Sequence, residues 1–147
     1  MKQALAFPTY TMIAMIIGYV IGIITIPKYL SQEKALACCA TLGIVIGLGT
    51  LFLPGTLSIG CVALLGLANS LMWPAIFPLA IQGLGRHTKI GSALLIMAIA
   101  GGALIPMLYG SLTKLMGYQQ AYWIVLPCYL FILYFALAGH KVGRKLA

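Results

Sequence analysis

The chain has 147 residues, of which 63% are apolar and 7% charged, and its mean hydropathy is +1.09. Soluble domains carry about 25% charged residues, and burial in a soluble fold of this size saturates near two-thirds of the unfolded chain's area. A soluble enzyme, a disordered chain, a disulfide scaffold and a nucleic-acid binder are therefore excluded. The formal charge of +8 comes from Lys and Arg against a single acid, Glu33. These charges leave the stretches 3–27, 35–85, 90–113 and 115–139 free of any charge. Each stretch holds the roughly 20 apolar residues that a bilayer-spanning helix requires.

The first predicted span covers about 9–27 and ends at Pro27-Lys28, before a polar loop at 28–34. The stretch 35–85 is too long for one crossing. Pro54-Gly55, a strong turn signal, divides it into spans of about 35–53 and 57–80. The loop Gln82-Gly83-Leu84-Gly85-Arg86-His87-Thr88-Lys89 follows, then a fourth span at about 91–112 and a fifth at about 121–139. The expected fold is an all-α membrane bundle of five transmembrane helices in one partial domain, 1–147. Five crossings put the two ends of the chain on opposite sides. Lys28, Lys34, Arg86, Lys89, Lys141, Arg144 and Lys145 fall on one side, Lys2 and Lys114 on the other. Positive residues are retained in the cytoplasm, so the N-terminus is expected outside and the C-terminus inside. Small residues let helices pack closely in lipid. Gly18 and Gly22, Gly43 and Gly47, and Ala98 and Gly102 are spaced four apart for that role.

Cys38, Cys39, Cys61 and Cys128 lie in apolar runs without a CxxC pair. They read as packed thiols, with no metal or cofactor expected. No span contains Asp, Glu, Lys or Arg near its middle, so the chain shows no proton relay of its own. Glu33 reads as a solvated loop charge, and His87 and His140 as residues at headgroup level. No acid–base or nucleophile set fits within one membrane layer, so an intramembrane enzyme is not expected. Gly83-Leu84-Gly85 follows a membrane helix and lacks the spacing of a nucleotide fingerprint.

The third span carries the most chemistry: Ala68-Asn69-Ser70-Leu71-Met72-Trp73-Pro74-Ala75-Ile76-Phe77-Pro78. On a continuous helix Asn69 and Trp73 share a face. An amide near the midplane must meet a helix, water or ligand. An indole plate beside an amide suits the C–H face and hydroxyl rim of a sugar. Equally, Asn69 can bond a neighbouring helix while Trp73 fills space. Pro74, Pro78 and, in the fourth span, Pro106 each remove a backbone donor and favour bending. Gly101 and Gly102 allow either close helix packing or backbone approach to a ligand. Tyr19, mid-span in the first helix, offers a hydroxyl to a cavity.

The run 66–79, with the loop and helix at 83–103 and the entry Gln119-Gln120-Ala121-Tyr122-Trp123, resembles the fucose–galactose–glucose:proton symporter family of the major facilitator superfamily. The likeness extends over nearly the whole chain from about Tyr10. It implies that these are the last five of twelve helices, the C-terminal portion of a sugar:proton symporter. It implies a bacterial inner membrane, membrane lipid as surroundings, and a fucose, glucose or galactose as substrate with a proton. The family's proton-coupling acids lie in the N-terminal half, so that half is the implied partner. Cavity-lining residues are then Asn69, Trp73, Tyr19, Gly101 and Gly102. The chain is expected to be inactive alone. The alternative is a free-standing five-helix structural or assembly protein.

Overall fold

Lipid offers no hydrogen bonds, so a chain that crosses it must satisfy its backbone internally. A computed structural model of the chain describes residues 2–26 and 28–142, with side chains from residue 8 onward. Every regular element among the described residues is helical. Pro27, Arg144, Lys145 and the side chain of Lys2, all used in the span and charge reading, lie outside the described residues.

The helices are α1 (Lys2–Thr25), α2 (Gln32–Phe52), α3 (Gly55–Ser70), α4 (Met72–Ile81), α5 (Thr88–Ala98), α6 (Gly101–Met116) and α7 (Val125–Leu137). A 3-10 turn at Gln120–Ile124 leads into α7, and others lie at Gly85–His87 and Gly139–Lys141. Five stretches are long and apolar enough to cross a membrane: Pro8–Thr25, Gln32–Phe52, Gly55–Ile81, Gly85–Met116 and Gln120–Leu137. Two of these five are broken near their centres, by a joint at Leu71 and another at Ile99-Ala100.

The bundle is laid out around α2. It packs against α3, α4 and α7, and α1 packs on α3. The buried core gathers Leu36 and Cys39 of α2, Leu65 of α3, Met72, Ala75 and Leu79 of α4, and Tyr129 and Ala136 of α7. By contrast α5 and α6 bury no residue. Among the principal contacts, α5 meets α4, and α6 meets the 3-10 turn before α7.

Glycine makes the close approaches. Gly18 and Gly22 of α1 seat the side chains of Ser70 and Leu71, and a methyl group at either position would collide with them. Gly43 of α2 seats the ring of Tyr129, which would stand 2.5 Å from an added Cβ, and Gly47 faces Leu126. Gly66 of α3 lies against the backbone carbonyl of Thr11. The third small-residue pair behaves differently: at Gly102 an added Cβ meets nothing. Its spacing is that of a packing motif, but among the described residues nothing lies within 4 Å of that Cβ.

The far end of α2 is closed by a side chain from the connection just before the last span. Helix C-termini leave carbonyl oxygens without partners. Gln119 Nε2 donates to the carbonyl oxygens of Thr50 (3.0 Å), Leu51 (3.1 Å) and Leu53 (2.8 Å). Ser58 Oγ donates to Thr50 as well, at 2.7 Å.

Two stability predictions follow from these contacts. Gly66→Ala must push α1 from α3, because the obstacle is backbone; a loss of about 1–3 kcal/mol is expected, read from thermal unfolding in detergent micelles. Gln119→Met keeps the volume and removes the donor. It is expected to cost about 1–3 kcal/mol and to speed amide exchange at 50–53.

Candidate functional site

The joint in the third span follows from Pro74. Proline lacks an N–H and its ring crowds the carbonyl four residues back, which here belongs to Ser70. α3 ends at Ser70, Leu71 turns with φ −95° and ψ −4°, and α4 starts at Met72. Pro74 then sits in the first turn of α4, where no donor is needed. Pro78 lies inside α4 without interrupting it.

In the fourth span the ladder tightens to i→i+3 bonds. Ile99 N–H reaches Ile96 O at 3.1 Å, Ala100 reaches Met97 at 3.1 Å, and Gly102 reaches Ile99 at 2.8 Å. A mid-helix 3-10 stretch of this kind marks a hinge or a strained sequence. Pro106 lies farther along, inside α6. The joint therefore forms beside the glycine pair, and Pro106 is accommodated within the helix after it.

The two joints lie at the same depth. α4 has 10 residues and α5 has 11, and both run to the turn that links them. At ~1.5 Å per residue each joint stands about 15 Å from that turn. Half the hydrocarbon core is about 15 Å, so both breaks fall near the midplane. Asn69 and Trp73 flank one break; Gly101 and Gly102 follow the other.

Asn69 is exposed on α3, and its Oδ1 accepts a hydrogen bond from Tyr129 Oη at 2.9 Å. The contact fixes the amide's orientation and directs its oxygen to a neighbouring helix. The amide nitrogen retains two donors. Trp73 is 43% exposed, and its ring lies 5.9 Å from that of Phe77, tilted by 52°. The Leu71 joint falls between Asn69 and Trp73, so no unbroken helix connects them. Added Cβ atoms at Gly101 and Gly102 meet nothing, and the backbone there is open.

Tyr19 and Pro74 are brought together. They line a cavity of about 360 Å³ with Gly22 and Ile23 of α1, Gln32 of α2 and Leu71 at the joint. Asn69, Trp73, Gly101 and Gly102 are not among its lining residues.

Three polar residues carry more of the architecture than sequence reasoning gave them. Tyr129 binds Asn69, and Gln119 caps α2. His140 is buried, 5% exposed, with Nε2 3.4 Å from Glu33 Oε2. The sequence reading did not anticipate that contact: the ring of His140 is buried edge-on to Phe135, while Glu33 stays 43% exposed. A mid-span hydroxyl needs a partner in lipid, a signal that pointed to Tyr129. The pairing of His140 with Glu33 is set by a fold across more than a hundred residues.

A polytopic bundle with helices broken partway across the membrane is an arrangement found in many membrane transporters. Comparison with known proteins is specific. The chain is 39% identical over 114 residues to a glucose/galactose transporter of Brucella abortus biovar 1 (strain 9-941), covering 78% of this chain and 28% of that protein. It is 35% identical over 130 residues to a putative glucose/galactose transporter of Helicobacter pylori (strain ATCC 700392 / 26695), covering 85% and 32%. It is 33% identical over 123 residues to the L-fucose-proton symporter of Haemophilus influenzae (strain ATCC 51907 / DSM 11121 / KW20 / Rd), covering 81% and 28%. The crystal structure of the major facilitator superfamily transporter FucP, in the outward conformation, superposes with a TM-score of 0.86 at 29% identity, covering 92% of this chain and 33% of that one. No family model matches the chain. The chain belongs to the major facilitator superfamily, with the glucose/galactose transporters and L-fucose-proton symporters. It spans about a third or less of the length of these relatives. They are transporters, not enzymes.

The Tyr129–Asn69 bond gives a direct test. Tyr129→Phe keeps the ring in the Gly43 groove and removes only the hydroxyl. Stability is expected to fall by about 0.5–1.5 kcal/mol in detergent unfolding. Asn69→Ala in the same background is expected to add little, because the two side chains share one contact.

Proposed function

We propose that the chain is the C-terminal portion of a secondary active sugar transporter that couples a fucose, glucose or galactose to a proton by alternating access. The support is the likeness to glucose/galactose and L-fucose-proton transporters over most of this chain. In this reading two helical halves rock about a site near the midplane. The joints at Leu71 and at Ile99-Ala100 are the places where the third and fourth spans bend. Pro74 and Pro78 weaken the first, and Pro106 leaves a carbonyl free just after the second.

Asn69 would present its amide N–H groups to a sugar hydroxyl while Tyr129 holds the amide oxygen. Trp73 would bound or stack on the apolar face of the ring. Gly101 and Gly102 would let the backbone of the fourth span come close. Tyr19 would face solute or a neighbouring helix from the separate cavity beside Pro74. Glu33 is the one acid of the sequence and lies at the start of α2, so the coupling carboxylates would come from the N-terminal half. The exposed faces of α5 and α6 would meet lipid and that half, and the chain alone would not transport. In this reading the basic turns would face the cytoplasm of a bacterial cell, with the protein in its inner membrane; the excess of Lys and Arg at this end supports that orientation. The alternative of a free-standing assembly protein has no structural observation in its favour.

The test uses the complete transporter in proteoliposomes, with labelled sugar uptake as the readout. Trp73→Ala is expected to lower uptake about tenfold or more, the effect of losing one well-placed aromatic contact, with insertion unchanged. Asn69→Ala is expected to weaken sugar binding about fivefold, near 1 kcal/mol. Wild-type uptake in both variants would remove the sugar-contact assignment.

A further inference from the structure

The connection between α1 and α2 stands at one end of an apolar slot. This is the cavity of about 360 Å³ beside Pro74. One wall is Ile23 of α1 and Ile26 just after it; the other is Leu71, Pro74 and Ala75. Leu71 belongs to the joint near the membrane centre, while Gln32, also on the lining, opens α2. The slot therefore runs from the middle of the bilayer toward the end of the bundle that carries the basic turns. Apart from Tyr19 and Gln32 its lining is apolar. Water needs several polar partners to occupy such a space, so hydrocarbon is its matched content. Ile23, 77% exposed, is an apolar surface that a chain lying in the slot would cover.

The mouth is charged. From Ile26 to Gln32 the chain passes through Lys28, which is exposed, and Tyr29, which is 77% exposed. The nearby acid does not cancel that cation by pairing with it: the printed ionic contact of Glu33 is with His140, at 3.4 Å. A cation and an amphipathic ring above an apolar slot match an amphiphile with an anionic head and a hydrocarbon tail. Tyr is enriched at headgroup level, and basic pockets between transmembrane helices hold anionic lipid headgroups. A free phosphate would meet Lys28 and leave the slot unfilled.

We propose that this slot binds one anionic phospholipid, with an acyl chain along Ile23, Ile26 and Pro74 and its phosphate beside Lys28. A zwitterionic lipid brings the same tail, but its own cation opposes Lys28. The slot thus sets the fit of the tail, and Lys28 sets the choice between lipids.

The test is photo-crosslinking of the whole chain in phosphatidylcholine bicelles doped with phosphatidylglycerol that carries a diazirine near the end of one acyl chain. The same probe built on phosphatidylcholine is the comparison. The phosphatidylglycerol probe is expected to label peptides containing Ile23 and Leu71 about fivefold more than the other, the effect of one Lys near the surface. Lys28→Gln is expected to remove that preference. Arg86→Gln, on the exposed turn after α4, is expected to keep it. Ile23→Trp fills the slot from an exposed position and is expected to lower labelling by both probes. Equal labelling by the two probes overturns the proposal, and so does an equal loss in Lys28→Gln and Arg86→Gln, which marks general attraction to a basic surface. Labelling that vanishes in the complete transporter assigns the slot to a helix of the other half and overturns it as well. If Ile23→Trp does not fold, native mass spectrometry of the parent with each lipid decides. One phosphatidylglycerol is expected to be retained per chain and to be weakened by Lys28→Gln; identical retention of the two lipids overturns the proposal.

Discussion

The structure depends on one side chain of the last span finding its place in lipid. The ring of Tyr129 fills the groove opened by Gly43 of α2, and its hydroxyl donates to Asn69 of α3. Three sequence-distant helices are registered by this residue. The groove exists because glycine has no Cβ, and the hydrogen bond matters because hydrocarbon offers the hydroxyl no alternative. Dispersion against the ring and one polar contact act at the same point. Van der Waals packing and interhelical bonds are the forces available where water cannot drive association.

Both ends of that arrangement are tied by polar groups on α2. At one end Gln119 closes the last carbonyls of α2; at the other Glu33 meets His140. α2 and the last span are thus linked near both ends of α2 as well as through their packed faces. The third and fourth spans contain their breaks between these tied ends, at matching depth.

Burial is divided unevenly across the bundle. α2, α3, α4 and α7 form the core, while α5 and α6 bury nothing. A soluble protein could not leave such apolar helices uncovered, but lipid covers them at no cost. The open backbone at Gly101 and Gly102 lies on this least-packed span. Among the described residues nothing lies within 4 Å of a Cβ added at either glycine.

The crossings were legible from the sequence because charge and turn residues are local signals. A Lys cannot rest in the hydrocarbon core, and Pro54-Gly55 cannot continue a helix, so span number followed from position alone. The small-residue pairs of α1 and α2 were legible for the same reason. The midplane residues were not. Pro74 announced a disturbance, yet the break at Leu71 emerged from the clash with Ser70 and the fit of Leu71 against Gly22. Pro106 carried the same signal, but the joint formed at Ile99-Ala100 instead. Asn69 could have faced solute alone, and its oxygen turned out to belong to Tyr129. His140 sat among cations in the chain and among buried groups in space. Length, hydropathy and breaker residues act over a few neighbours, so the sequence by itself determined a five-span membrane bundle. The partner of each polar side chain depends on helices that meet from opposite ends of the chain, and only the tertiary structure decided it.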